Sequence, residues 1–282
     1  MLVALHSTPK DFFKSGLPYN ADELFDLIQK AARLGFRCFQ IGPTSSFTDI
    51  DGDRLRIILD KCGMERNVHV GGLYDAEKFA VSEEERNKVQ KDLHHGIELS
   101  KEVSSFLVSF HPPFSKSENS DRVFSSRAKT LFLKLVEEEA DFASGMGIKM
   151  ALESFCYPPF IFNGFDDFMQ FVSNFPLTEL GILLEVGHLY QARFDLDEAI
   201  QTFRYRLLDV HVHDATHEKD FRKATHLPIG KGTIDFSQLV SILNEVKYEG
   251  WLTLEIHGND KEIIESREHL ENLIKQLAKN PD

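Results

Sequence analysis

The sequence predicts an α/β fold, a single (β/α)8 barrel spanning residues 1–282, and three observations carry that expectation. Short apolar runs alternate with helix-period stretches eight times along the chain, the mark of strand–helix units and a parallel sheet. A length of 282 residues suits eight such units, and no Pro/Gly/Ser-rich linker divides them. The longer connections follow strands, at 7–19, 112–121, 155–163 and 215–233, and in a closed barrel all of these loops share one face. A doubly wound open sheet is the alternative that the same alternation allows.

Taken in order, a strand at 2–6 leads to a helix at 21–34, which Asn20 opens with Glu23 three positions on and Gly35 closes. A strand at 36–41 and a helix at 53–62 form the second unit. In the third, a strand at 67–71 precedes a helix at 83–103, whose first turn follows Ser82 and carries Glu83, Glu84 and Glu85 against the free amides. The fourth pairs a strand at 106–111 with a helix at 127–144, stopped at Gly147 by a residue that accepts a left-handed backbone. Strands at 149–154, 181–185, 207–213 and 251–257 then alternate with helices at 165–175, 196–203, 236–246 and 262–277. The runs Gly181-Ile182-Leu183-Leu184 and Leu207-Leu208-Asp209-Val210 have the length and composition of buried parallel strands.

Composition narrows the function. Apolar residues make up 42 % of the chain and 24 are Phe, enough for a large core, while no apolar run is long enough to cross a bilayer. Met1 to His6 enter a strand with no basic region, long apolar stretch or small-residue cleavage site, so no secretory signal is read and a cytoplasmic location is expected. Cys38, Cys62 and Cys156 lack paired spacing, which points to reduced thiols, with Cys38 and Cys62 in the core. A net charge of -13 opposes the field of a nucleic-acid binder, so a small molecule is the expected partner. A homo-oligomer is compatible with the sequence.

Six consecutive strands end in a residue able to bind metal: His69, His111, Glu153, Glu185, His211 and Glu255, with His188 and His226 just beyond. Each alone reads as a hydrogen-bonded histidine or a solvated carboxylate; their joint occurrence at strand ends points to a site. Charges there must be paired or hold a cation, since burying an unpaired charge is prohibitive. Glu153, Glu185 and Glu255 with His211 form an oxygen-rich set suited to Mn, Mg, Co or Zn rather than Cu. His213 shares the face of His211 under a period of two and competes for its role. Asp214 is expected either to orient a ligating histidine or to cap the following loop. His94, His95 and His269 fall on helical surfaces, while His6, His217 and His257 lie near the loop face without a spacing signal. Phe155, Tyr157, Phe160 and Phe162 are candidates for a pocket wall, with core packing as the alternative. Arg193, Arg222, Lys223 and Lys231 could contact a phosphate or simply be solvated.

The segments Phe110-His111-Pro112, Ala151-Leu152-Glu153, Glu185-Val186-Gly187-His188, His211-Val212-His213-Asp214, His226-Leu227-Pro228-Ile229-Gly230-Lys231-Gly232 and Leu254-Glu255-Ile256 resemble the xylose-isomerase-like barrel superfamily. It includes sugar-phosphate isomerases and epimerases and, more distantly, endonuclease IV. The resemblance implies that Glu153, Glu185, His211 and Glu255 hold one divalent metal and that Glu153 and Glu255 exchange the substrate proton. The implied activity is isomerisation or epimerisation of a small sugar, sugar phosphate or polyol through an enediolate. The endonuclease IV comparison implies a phosphodiesterase instead, with His69, His111, His188, His226 and Asp214 as candidates for a second metal or for substrate binding. A non-catalytic metal-binding barrel is the third reading. Two positions depart from the pattern: the family usually has Asp where Glu185 stands, and the aspartate of the third endonuclease site falls at Ala224, which cannot ligate.

Overall fold

The structure is a computed structural model and describes residues 1–6, 21–42, 50–72, 74–114, 122–154, 161–162, 164–218 and 221–279. Eight parallel strands close into a barrel: β1 (Leu2–His6), β2 (Cys38–Ile41), β3 (Glu65–Val70), β4 (Leu107–Phe110), β5 (Lys149–Ser154), β6 (Leu180–Glu185), β7 (Leu207–Val212) and β8 (Trp251–Leu254). Each strand pairs with the next, and β8 returns to β1 through Leu2–Trp251, Val3–Leu252, Ala4–Thr253 and Leu5–Leu254. Closure leaves no open sheet edge, so the doubly wound alternative does not hold.

The helices are α1 (Ala21–Arg33), α2 (Gly52–Lys61), α3 (Ala76–Val81), α4 (Glu83–Glu102), α5 (Arg122–Met146), α6 (Phe165–Val172), α7 (Val186–Gln191), α8 (Leu196–Phe203), α9 (Phe221–Ala224), α10 (Phe236–Glu245) and α11 (Asp260–Lys279). Ser82 caps α4 by accepting from Glu85 N at 3.2 Å, as its position predicts. Gly35 and Gly147 adopt φ +88° and +75°, the left-handed stops that end α1 and α5. The expected cap Asn20 and the loop residues Cys156, Phe155, Tyr157 and Phe160 lie outside the described residues.

Three short helices, α3, α7 and α9, occupy stretches that the sequence reads as loop. Asp75 opens α3 by accepting from Lys78 N at 3.0 Å, a cap signal that its six residues are too short to amplify into a visible period. β8 ends at Leu254, earlier than expected, because only the backbone up to that point pairs on both sides. Glu255 N still donates to Val212 O at 3.2 Å, which keeps its carboxylate at the level of the β7 end.

Two cores result. Between barrel and helices, Phe79, Phe110, Phe132, Phe168 and Phe203 are fully or almost fully buried. Phe162 belongs here, meeting Phe168 and Phe171 edge-on at 5.2 and 5.0 Å, so it packs behind the barrel and not as a pocket wall. Inside the barrel, Ala4, Cys38 and Trp251 form one apolar group and Leu107, Ala151 and Leu183 another. Burial pushes the Cys38 thiol up to about 12, consistent with an inert core residue. Strand alternation places Asp209, His211 and His213 on this same inner face, two residues apart, so the interior turns polar toward the loops. No helix among the described residues is long and apolar enough to cross a membrane.

Candidate metal centre

His211 sits at the middle of the polar end. The register pairs it with Glu185 on β6 and Thr253 on β8, and it is completely buried. Its Nδ1 lies 3.0 Å from Glu185 Oε2 and 2.9 Å from Glu255 Oε2. Its Nε2 lies 2.8 Å from Gln40 Oε1, an amide whose nitrogen donates to Asp209 Oδ2 at 2.8 Å. Gln40 therefore presents an acceptor, His211 Nε2 carries a proton, and Nδ1 faces two carboxylate oxygens that repel a bare lone pair. A proton or a metal cation must stand between them. Glu185 reaches His211 with its longer side chain.

A similar arrangement recurs on β3 to β5. His111 Nδ1 lies 3.3 Å from Gly72 O, and His69 Nδ1 lies 2.9 Å from Ser109 Oγ, whose own hydroxyl points to Val68 O at 3.4 Å. Both rings thus spend Nδ1–H on fixed acceptors and turn Nε2 inward, 3.1 Å from each other. Glu153 Oε2 lies 2.9 Å from His111 Nε2 and 3.8 Å from His69 Nε2. Burial raises the Glu153 carboxyl, helped by the Glu185 charge and resisted by His111. Burial pulls the His111 imidazole down, but Glu153 outweighs it and the net shift is upward. The pair shares one proton where a cation would fit.

The third group lies under the loop after β7. His226 Nδ1 reaches Glu255 O at 3.0 Å, leaving Nε2 3.2 Å from His188 Nε2. His226 adopts φ +54°, uncommon for a non-glycine residue, and its backbone amide donates to His213 Nδ1 at 2.8 Å. That bond is shorter than the 3.2 Å contact of the same Nδ1 to Asp214 O and favours Nδ1 as an acceptor, with Nε2 2.9 Å from Glu185 Oε1 though not aligned as a hydrogen bond. His213 thus lies against Glu185 Oε1, while His211 Nδ1 lies between Glu185 and Glu255. At Gly187 a Cβ would come within 1.9 Å of His213 Cε1, which explains the glycine in Glu185-Val186-Gly187-His188.

Asp214 caps the loop. Its Oδ1 accepts from Ala215 N at 2.9 Å and Ile234 N at 3.1 Å, and its Oδ2 from Gly230 N and Gly232 N, both at 2.8 Å. Its oxygens are committed to the backbone that carries His226. Ala224 is fully buried.

Among the described residues, four groups could hold an ion: Glu185–His211–Glu255, Glu153–Glu185–His188, His69–His111–Glu153 and His188–His213–His226. The first three join through Glu185 and Glu153, so the expected ligands form one chain of overlapping sites and not a single knot. Electrostatics favour a cation. Burial opposes charge on Glu185, but His188, His211 and His213 hold it well below the usual carboxylate range; His6, His211 and His226 do the same for Glu255. His211 is held well above an ordinary imidazole because Glu185 and Glu255 outweigh its burial. Burial lowers His6 and His188 to about 4, and His69 and His226 well below the usual value. Two buried carboxylates and one half-buried one, converging on imidazoles at one end of the barrel, suit a divalent ion.

Gln40, Asp209 and His6 belong to this centre and carry no motif; His6 Nδ1 reaches Gln40 Oε1 at 2.6 Å. His257 touches its edge, 5.0 Å from the His226 ring, and His217 stacks on Tyr190 at 4.4 Å. His94 is not simply solvated: it stacks on Phe142 at 4.0 Å and bonds buried Glu139 at 3.0 Å, whereas His269 is exposed and His95 half-buried. Arg193, Lys223 and Lys231 are exposed, and the Arg222 side chain lies outside the described residues.

Several known proteins share this architecture. A structure of a D-tagatose 3-epimerase-like protein superposes with TM-score 0.79 at 22% identity, covering 99% of both chains. D-psicose 3-epimerase with D-tagatose, from Clostridium cellulolyticum H10, gives 0.78 at 15% identity over 97% of this chain and 99% of that one. An IOLI protein with a binding zinc atom gives 0.73 at 15% identity over 98% and 99%. The uncharacterized protein MJ1311 of Methanocaldococcus jannaschii is 24% identical over 93% of this chain and 89% of its own. The model of the xylose isomerase-like TIM barrel matches residues 28–273, so the chain belongs to that family.

Proposed function

We propose that the protein is a divalent-metal-dependent isomerase or epimerase of a small sugar, sugar phosphate or polyol. The observation that carries this is the convergence of Glu185, Glu255 and His211 Nδ1 within 3.0 Å contacts, with Glu153 on the adjoining group. Glu153, Glu185, His211 and Glu255 would hold one ion of Mn, Mg, Co or Zn. Bound there, it supplies Lewis acidity to a carbonyl and its neighbouring hydroxyl, so that the proton on the carbon between them becomes acidic. Glu255, from the end of β8, removes that proton, and Glu153, from β5, returns one from another side of the cavity. The substrate passes through an enediolate. His188 steadies a substrate hydroxyl. The likeness to a D-tagatose 3-epimerase-like protein and to D-psicose 3-epimerase supports a sugar-like substrate.

A metal-dependent phosphodiesterase is the second reading, favoured by the inward-facing His69 and His111 beside Glu153, which suit a second ion. Buried Ala224 and the -13 charge count against it. Metal-loaded protein should interconvert at least one member of a panel of ketoses, with activity lost in chelator, and should leave abasic duplex DNA intact. Cleavage of that duplex with no sugar turnover would reverse the ranking.

A further inference from the structure

We infer that Asp209 and Gln40 are positioning residues: through a directional chain of hydrogen bonds they hold His211 in the one tautomer whose Nδ1 can ligate. The inference rests on the reading of Glu185, His211 and Glu255 as metal ligands.

Asp209 is wholly buried in the barrel, two residues before His211 on β7. Four groups donate to it: Val210 N at 2.9 Å and Thr253 Oγ1 at 2.8 Å on Oδ1, Gln40 Nε2 at 2.8 Å and Asn67 Nδ2 at 3.1 Å on Oδ2. An ionised carboxylate can only accept, so the nitrogen end of the Gln40 amide must face it. The oxygen end then faces His6 Nδ1 at 2.6 Å and His211 Nε2 at 2.8 Å. A carbonyl oxygen cannot donate, so His211 Nε2 bears the proton. Its Nδ1 lone pair is left to face Glu185 and Glu255, 3.0 and 2.9 Å away. One carboxylate below the cavity thereby sets the polarity of the imidazole above it, without touching that ring. Such outer partners commonly tune metal affinity by about ten- to a hundredfold.

Asp209→Asn tests the polarity because it keeps the shape of the side chain. The Val210 amide is fixed in the strand and retains the Asn oxygen, so the new NH2 group turns toward Gln40. Gln40 would then flip, presenting its own NH2 to His211 Nε2 and moving the proton to Nδ1. Asn67 can follow, because its Oδ1 is buried with no hydrogen-bond partner among the described residues and is ready to accept. The double variant Asp209→Asn/Gln40→Glu restores the original direction: the Asn donates to the new carboxylate, whose other oxygen accepts from His211.

The experiment is calorimetric titration of Mn2+ and Zn2+ into wild type and both variants, with 15N spectra of histidine-labelled, metal-free protein at alkaline pH. The expected result is about ten- to a hundredfold weaker binding in Asp209→Asn, with His211 protonated on Nδ1. The double variant should return to within a few-fold of wild type, with the proton on Nε2. Unchanged affinity and tautomer in Asp209→Asn would overturn the inference while leaving the metal reading intact. Weak binding by a folded double variant would also overturn it. If Asp209→Asn fails to fold, the double variant alone decides by the same criterion. Absence of metal binding in wild type would sink the underlying reading instead.

Discussion

Glu185→Asp keeps the carboxylate but shortens its side chain, and here it should be harmful. The side chain loses one carbon–carbon bond, about 1.5 Å. The Glu185–His211 register holds the backbone in place, so the present 3.0 and 2.9 Å contacts to His211 Nδ1 and His213 Nε2 open. At about 4–4.5 Å the His211 contact is no longer a hydrogen bond and the close charge contact to His213 weakens. A hydrogen bond to a charged partner contributes about 1.5–3 kcal/mol, so the metal-free protein should lose about that much through the His211 contact. Losing a ligand oxygen should weaken the ion at least about a hundredfold, or about 2.8 kcal/mol. Urea unfolding of metal-free protein and calorimetric metal titration read the two effects separately. An Asp variant with the same urea midpoint and an affinity within threefold of wild type would refute the idea that Glu185 is fitted to this site through His211 and His213.

Asp214→Ala removes the acceptor of four backbone amides, two of them on the buried residues Ala215 and Ile234, and should cost about 3–5 kcal/mol in urea without changing the ion count. Loss of an ion at unchanged stability would make Asp214 a ligand instead. Because Glu185 and Glu255 hold His211 protonated well above the usual imidazole range, an ion must displace that proton. Affinity should therefore rise about tenfold per pH unit through neutrality and level off above the His211 ionisation; a flat profile from pH 6 to 8 would count against His211 as ligand. Replacing His69 and His111 together with Ala should raise KM while one ion per chain remains by elemental analysis. The loss of one of two ions would establish a second metal beside Glu153.

The barrel was legible because its strands are short apolar runs with polar ends, and because a period of two puts those ends on a common inner face. Glu153, Glu185, His211 and Glu255 follow from strand position alone, and the structure brings Glu185, His211 and Glu255 into one group with Glu153 adjoining. Gln40 and Asp209 were not legible as site residues. They meet only after closure, 169 positions apart in sequence, and a buried Gln or Asp inside an apolar run carries no spacing signal. The sequence places His6 near the loop face, but its position against Gln40 depends on β1 pairing with both β2 and β8. Asp214 had two equally good readings, and only the direction of four backbone amides chooses loop capping. Phe162 had two as well, and its packing on α6 chooses the core. His94 follows a helical face outward in the sequence, yet α5 supplies Glu139 and Phe142 to cover it.

Proton exchange at carbon tests the central claim most directly. Metal-loaded protein incubated with a panel of ketoses in heavy water should place deuterium on the carbon next to the carbonyl of at least one sugar, read by proton NMR. Glu255→Gln should retain much of the metal affinity and lose this exchange about a hundredfold or more. No deuterium in any sugar with a fully loaded site, or equal exchange in the Gln variant, would contradict the account.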